Sequence, residues 1–445
     1  MPEQLVQADS LAFAQSGVRK AYVFGSGRGY GKGIFSQCSR LKTLVLGDNV
    51  RHIPDKFAYH CMSLKQVIFP PFLESVGRNV WEKTLFLEDW LLQGQEEQQE
   101  ILWDGRNLEG EVKLAETVRI LAGGAFYGNT KLTCVHIPES VEWIGAAAFK
   151  GCRRLRRVYW PKRIKELQTE VFSGCGELEE VETAAKWKTI GERAFYGCKK
   201  LQRICWEQVL FLAKEAFCGC KSLERNPVRK ELWIGDRALE DTLFLEDRTD
   251  GLVIVGSVIV AAEYCSGETY LPEGITGIAP FAFSRNCQVT RVVLPESLSQ
   301  IGQGAFWGCS QLKEVQFPKR CCRIEDRAFE KCTSLKTIQV KAEYIGAAAF
   351  AYCIALNSVQ LRGIKVLEER MFEGCRGLQT LVCQGVEEIR AWCFCGCQNL
   401  ESFDFRDVHS IEKYAFEGCN SLKQVKFQEN CCCMPHVLWC EKDTA

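Results

Sequence analysis

The segment "CCCMPHVLWC" near the C-terminus holds the chain's one metal-like constellation: Cys431, Cys432, Cys433, His436 and Cys440. Cys433, His436 and Cys440 could supply three zinc ligands, with Cys431 as a fourth. The spacing departs from ordinary zinc patterns, and adjacent cysteines on an extended strand point to opposite faces. An apolar cap explains the tail as well, so no metal is assigned and Cys433, His436 and Cys440 stand only as weak candidates. A second stretch, "FGSGRGYGKGIF" (24–35), has the look of a phosphate loop. It fails the spacing of one, because Ser26 stands where the first glycine belongs and Gly33 where the last Ser or Thr belongs.

A third candidate is "KGCRRLRRVYWPKRIK" (150–165), with eight basic residues, no acid, and Tyr159 and Trp160 interleaved. Alone it would suggest a nucleic-acid stripe. The same positions 23 residues on read "GCGELEEVET", and then "GCKKLQRICW", so Arg154, Glu177 and Lys200 align, as do Arg157, Glu180 and Arg203. Parallel strands lie about 4.8 Å apart, so such columns alternate in sign and neutralise each other. The expected result is a salt-bridged surface, each exposed pair contributing about 0–1 kcal/mol. The five histidines, His52, His60, His136, His409 and His436, form no HExxH pattern and accompany no nucleophile motif. His136, between Val135 and Ile137, takes an outward strand position and reads as a surface residue. No paired catalytic constellation is visible, so the expectation is a protein that is not an enzyme and uses no cofactor.

Composition and charge bound what the chain can be. Its 445 residues are 47% hydrophobic and 25% charged, an ordinary globular balance. Lys plus Arg equals Asp plus Glu at 56 each, leaving no global charge to attract nucleic acid or an anionic membrane. The opening "MPEQLVQADSLAFAQSGVRKAYVF" carries an early acid and no long apolar run, so no secretory signal is expected. The longest apolar run, "GLVIVGSVIVAA" (251–262), is too short for a membrane helix and reads as two strands joined at Gly256-Ser257. These features predict a soluble, cytoplasmic protein without membrane insertion.

Twenty-six cysteines, with no Cys-x-x-Cys pair among them, need another explanation. The pattern I-G-x-x-A-F-x-G-C-x-x-L-x-x-[V/I] recurs with Phe126, Phe149, Phe172, Phe195 and Phe217, then Phe283, Phe306, Phe329, Phe350, Phe372, Phe394 and Phe416, at steps of 21 to 23 residues within each run. Twelve cysteines hold one place in the unit: Cys38, Cys61, Cys152, Cys175, Cys198, Cys220, Cys309, Cys332, Cys353, Cys375, Cys397 and Cys419. Such a period marks a solenoid, whose units bury their apolar faces on one another. Leu201, Ile204 and Trp206 have the spacing of a short strand with alternate side chains inward. Ile190 and Phe195 fill the other side, Gly191 and Gly197 permit the turns, and the cysteines form a ladder of small buried thiols. The neighbours in "FCGC" (217–220) and "CFCGC" (393–397) need no redox role. The Gly-rich stretch joins the same register, since Tyr30-Gly31-x-x-Ile34-Phe35 matches Ile190-Gly191-x-x-Ala194-Phe195.

The units "IGAAAFKGCRRLRRV", "IGQGAFWGCSQLKEVQFP" and "IEKYAFEGCNSLKQVKF", with "LPEGITGIAPFAF" and "IPESVEWIGAAAF", resemble the BspA-like leucine-rich-repeat family of bacterial proteins over about residues 30–427. The resemblance implies a curved solenoid used to bind other macromolecules; many members are displayed on cell surfaces. The expected fold is an α/β-type repeat solenoid: a right-handed coil with a parallel sheet on its concave face and irregular or short helical turns on its convex side. "TLFLED" occurs at 84–89 and again at 242–247, after truncated units with Thr84 and Thr242 in the cysteine slot and before restarting units with Asn129 and Asn286 there. The expected organisation is a cap and first units at 1–83, an interruption at 84–115 with an exposed polar loop "QGQEEQQE", and a repeat block at 116–241. A hairpin-bearing interruption at 242–270, a second block at 271–427 and a cap at 428–445 follow. Strand alternation places Arg156, Arg157, Tyr159, Glu179, Glu180 and Arg203, with Gln316, Gln339 and Gln360 in the second block, on the concave face. The function expected is a scaffold binding a protein partner there; a cell-surface adhesin exported by an unrecognised route is the alternative.

Overall fold

The structure, a computed structural model, describes residues 7–92, 100–224, 232–245, 251–320 and 322–423, and the strand Cys432–Cys433. The chain forms two compact units, Met1–Pro227 with Arg237–Leu243, and Val228–Asp236 with Phe244–Ala445. Each is a parallel β-solenoid in which one sequence repeat makes one coil. In the first unit, strand Arg157–Trp160 lies between Leu132–His136 and Glu180–Thr183, with Val158 opposite both Val135 and Val181. Val158 and Trp160 are buried while Arg157 and Tyr159 face outward, as alternation requires. A second column of two-residue strands, Glu166–Leu167, Thr189–Ile190 and Phe211–Leu212, closes the other side of the coil. In the second unit, Thr337–Ile345, Ser358–Arg362 and Thr380–Cys383 pair in the same parallel manner. At the N-terminal end, Lys20–Val23 pairs with Thr43–Leu46, setting Ala21 opposite Leu44 and Val23 opposite Leu46. Leu201, Ile204 and Trp206 are buried, although pairing in their coil shrinks to one bridge between Glu180 and Arg203.

The side of the coil opposite the strands is not helical, which corrects the expectation of short helical turns there. Among the described residues the helices are Leu85–Leu92 and the 3-10 turn Leu243–Leu245, both inside the interruptions. Neither is long and apolar enough to cross a membrane. The reason lies in where the turn's amides go. Arg193, Phe195 and Gly197 donate to the carbonyls of Lys214, Ala216 and Cys218 in the next coil, at 3.0, 2.8 and 2.8 Å. The alternate amides of Ala194, Tyr196 and Cys198 donate three residues back, to Gly191, Arg193 and Phe195, at 3.1, 3.1 and 3.0 Å. In an α-helix the amides would instead bond four residues back within the same segment, none of them reaching the next coil. Left-handed residues enforce the alternation, with φ of 53° at Arg193 and 70° at Gly197. The two glycines of the unit serve different ends. Gly197 supplies the left-handed turn, whereas a Cβ on Gly191 would lie 2.4 Å from the Leu167 carbonyl oxygen of the preceding coil.

Inside each coil the phenylalanines stack. Phe149, Phe172, Phe195 and Phe217 follow one another at ring-centroid distances of 5.4, 5.3 and 5.0 Å, within 18° of parallel. Phe306, Phe329 and Phe350 repeat this at 4.9 and 5.4 Å. In the first coils the stack turns edge-on, Phe35 against Phe57 at 86° and Phe57 against Trp81 at 87°. Beside the stack, each repeat cysteine donates its thiol to the phenylalanine carbonyl one coil back. Cys198 reaches Phe172 at 3.1 Å, and Cys220 reaches Phe195 at 3.1 Å. The same contact, at 2.9–3.2 Å, is made by Cys38, Cys61, Cys152, Cys175, Cys309, Cys332, Cys353, Cys375, Cys397 and Cys419.

The interruptions replace the cysteine according to need. Thr84 turns its hydroxyl back on the Trp81 carbonyl at 2.7 Å and accepts the Leu87 amide at 3.2 Å, capping the helix Leu85–Leu92. Thr242 turns back on Leu239 at 2.5 Å. Asn286 opens the next run by donating to the carbonyls of Ala262 and Cys265 at 2.9 and 2.8 Å. It accepts the amides of Gln288 and Val289 at 2.8 and 3.0 Å. Asn129 does the same with Gly105 and Leu108, and with Lys131 and Leu132. After the first helix, Ile101–Leu102 and Gly110–Lys113 pair with Ile120–Leu121 and Leu132–His136, making a shortened coil that keeps both strands and lacks the turn. The polar run "QGQEEQQE" lies outside the described residues apart from Glu100. In the second interruption Val253–Val255 and Val258–Ala261 form an antiparallel hairpin, and the latter strand pairs with Gly277–Ile278.

Two outcomes follow. Asn286→Ala removes the bonds to the buried Cys265 carbonyl and Val289 amide, so it should lower stability by at least about 2 kcal/mol, at about 1–3 kcal/mol per buried group. Cys332→Ala, which loses one weak donor and little volume, should cost about 1–2 kcal/mol; urea midpoints compare the two. The second concerns pH. Burial pushes the thiols of Cys61, Cys309 and Cys419 up to about 12 from an ordinary 9.0. The unfolded chain gives up these protons near 9.0 and the folded chain holds them. Their contribution is therefore complete below pH 9 and is lost as pH rises from 9 towards 12. Tm followed by circular dichroism should fall across that window, and more slowly when these cysteines are replaced by alanine.

Candidate binding surface

The outward rows of the strands are the part of each coil that the core does not dictate. Arg157 lies opposite Glu180 in register, and Tyr159 opposite Glu182. Arg203 joins the row through its bridge to Glu180. Arg156 and Glu179 sit in the bend before their strands, where the Glu179 amide donates to the Arg156 carbonyl at 2.9 Å. In the second unit Gln339 and Gln360 are register neighbours. Gln316 accepts a hydrogen bond from Arg291 at 3.2 Å. The three glutamines line one shallow groove of about 460 Å³ with Lys319, Lys341 and Arg362 at its edges.

The charges of this surface pair along and across the coils. Lys200 meets Glu177 at 2.6 Å, and Arg203 meets Glu224 at 3.0 Å. Arg157 departs from straight columns: its Nε lies 3.3 Å from Glu182, the diagonal neighbour, although Glu180 is its register partner. The Lys200 ammonium holds the Glu177 carboxyl below its usual range. Off the strand face, Glu170 is nearly buried and joins Arg78 at 3.1 Å to Lys150 at 2.6 Å. Arg78 is 92 residues away in sequence.

The remaining candidates divide by geometry. The Gly-rich stretch is repeat structure: Phe35 stacks on Phe13 at 5.6 Å and donates its amide to Phe57. The cysteine- and histidine-bearing tail falls outside the described residues, except that the Cys432–Cys433 backbone pairs with Ser410–Ile411. The side cysteines Cys218 and Cys395 face Glu240 and Glu417 at 3.6 and 3.8 Å, and burial pushes both thiols up to about 11. His136, read from sequence as a surface residue, also has close neighbours. Its Nε2 lies 2.8 Å from Glu111 and 3.8 Å from the Cys134 sulfur, and its ring stacks on Tyr159 at 4.1 Å. Burial first, and the Glu111 carboxylate next, push the Cys134 thiol above its ordinary value. This is the one group of three or more His, Cys and acidic side chains among the described residues whose ligand atoms gather within 4.8 Å. Cys-x-His is visible in the sequence, but Glu111 joins it only once the coil register is known.

The family model for the BspA type leucine rich repeat region matches residues 1–88, 104–224, 264–378 and 343–435. Among solved structures, a leucine-rich repeat protein from Bacteroides ovatus is 21% identical over 89% of this chain and 87% of that one, with a TM-score of 0.30. One from Eubacterium ventriosum is 15% identical over 92% and 84%, at 0.34. A leucine rich cell surface protein from Faecalibacterium prausnitzii is 20% identical over 83% of each, at 0.30. No curated protein sequence matches. With the family's repeat matched along most of its length, and with that repeat built as stacked coils, the chain belongs to the BspA type leucine-rich-repeat family.

Proposed function

We propose that the protein is a non-enzymatic scaffold that binds a protein partner through the outward rows of its strands, the face expected to be concave. Repeat solenoids of this kind commonly serve as protein-binding scaffolds. The observation that carries the reading is the row Arg157, Tyr159, Glu180, Glu182 and Arg203, held in fixed register on a parallel sheet. Exposed ion pairs contribute about 0–1 kcal/mol, so folding alone does not account for these side chains. The same reading extends to Arg156, Glu179, Gln316, Gln339 and Gln360. The interruptions are read as the boundaries of two copied repeat blocks.

The reading has a two-part test. Arg157→Glu and Tyr159→Ala should each change the urea-unfolding free energy by less than about 1 kcal/mol. Against a partner recovered by crosslinking and affinity capture, each should weaken binding by roughly tenfold or more, the loss of one well-placed interface side chain. Unchanged affinity in both variants overturns the assignment of this face.

The proposed compartment is the cytoplasm, on the chemistry of the twelve repeat thiols: each must keep its proton to donate to a carbonyl, and a disulfide would remove it. Protein from its native source, alkylated under denaturing, non-reducing conditions, should gain the mass of 26 labels. A large deficit would favour the exported, cell-surface alternative.

A further inference from the structure

The strand Leu132–His136 carries Cys134 and His136 two residues apart on its outward face, where the repeat elsewhere places Arg157 and Tyr159 or Glu180 and Glu182. Register with Gly110–Lys113 brings Glu111 opposite Cys134. From this arrangement we infer that Glu111, Cys134 and His136 form a zinc site with one coordination position open to solvent.

The donor set points to the metal. One thiolate sulfur, one imidazole nitrogen and one carboxylate oxygen suit a borderline-soft ion, and zinc sites with three protein ligands keep their fourth position for water. The distances are close to those required. Zinc bonds of about 2.0–2.3 Å in tetrahedral geometry set ligand atoms about 3.3–3.6 Å apart. The sulfur–Nε2 distance is 3.8 Å and the Nε2–carboxylate distance is 2.8 Å, with all three atoms inside 4.8 Å. Small side-chain rotations admit the ion. Strands on both sides hold the backbone of Cys134 in register, and Tyr159, parallel to the imidazole within 11°, fixes the ring plane.

The charges and protons balance. In the metal-free site Cys134 is a thiol, and the His136 Nε2–H donates to the Glu111 carboxylate. On uptake the S–H bond breaks, a Zn–S bond forms and that proton leaves to solvent. The imidazole proton passes through water to Nδ1, freeing the Nε2 lone pair for the metal. One thiolate and one carboxylate then cancel the two positive charges of the ion. The flanking Arg157 does not compete with zinc for Glu111, since it is engaged by Glu182 at 3.3 Å.

Cobalt(II) titration of the reduced full-length chain tests the site, because a cysteine ligand produces an intense thiolate-to-metal charge-transfer band. The expected result is one zinc-displaceable equivalent with that band. Cys134→Ser should abolish the band. His136→Ala and Glu111→Gln should each weaken binding by more than about tenfold, since even outer-shell partners of zinc cost about 10–100-fold. All three side chains face outward, so circular dichroism and the urea midpoint in EDTA should be unchanged. The combined Cys433→Ser and His436→Ala variant should keep full binding. The inference is overturned if the wild-type chain binds no cobalt or zinc. It is equally overturned if Cys134→Ser and His136→Ala bind as tightly as wild type, or if only the tail variant loses metal.

Discussion

The carbonyl oxygen of the turn phenylalanine is the point on which these coils depend. Phe195 illustrates it: its carbonyl accepts the amide of Cys198 at 3.0 Å and the thiol of Cys220 at 3.1 Å. One bond closes the turn within a coil, and the other ties that turn to the coil after it. A buried carbonyl has two lone pairs, and leaving one unused costs stability. Cysteine suits the second bond because its side chain is small, apolar in bulk and carries one donor. The stacked rings then follow, since a turn held at this spacing puts Phe195 about as far from Phe217, 5.0 Å, as packed aromatic rings prefer.

Where the preceding turn is absent, the same constraint selects a different residue. Asn286 and Asn129 open runs that have no phenylalanine carbonyl behind them, and each reaches carbonyls of irregular backbone with its amide nitrogen. Its amide oxygen meanwhile collects two amides of the bend ahead. Cysteine has no acceptor of comparable strength for that task. Thr84 and Thr242 end runs and satisfy their own turns locally. The slot thus holds threonine at a stop, asparagine at a start and cysteine in between.

Much of this architecture is legible in the sequence. The spacing of Leu155, Val158 and Trp160 against Leu178 and Val181 already specified an alternating strand and a register of 23 residues, because side-chain period and repeat length are both sequence properties. The turn was not readable as a non-helix. Its departure depends on the sign of φ at Arg193, Ala147 and Arg327, and those residue types carry no preference for the left-handed region. The surface was legible only in its rows. Strand alternation put Arg157 and Tyr159 outward, but the diagonal contact with Glu182 depends on side-chain reach. The Glu111, Cys134 and His136 group required a neighbour from another coil, which no local motif can supply.

The bonds between coils have a direction. Turn amides such as those of Phe149, Phe172 and Phe195 point forward, to Val171, Ala194 and Ala216, while the thiols point back. During synthesis from the N-terminus, the most recent coil can place its thiol at once but must wait for the next coil before its amides are satisfied. The growing end is therefore always one coil short of closure, and an arrested or truncated chain exposes a row of forward-facing donors. Such a tip is an edge of unpaired donors, the kind of surface that capping units otherwise cover.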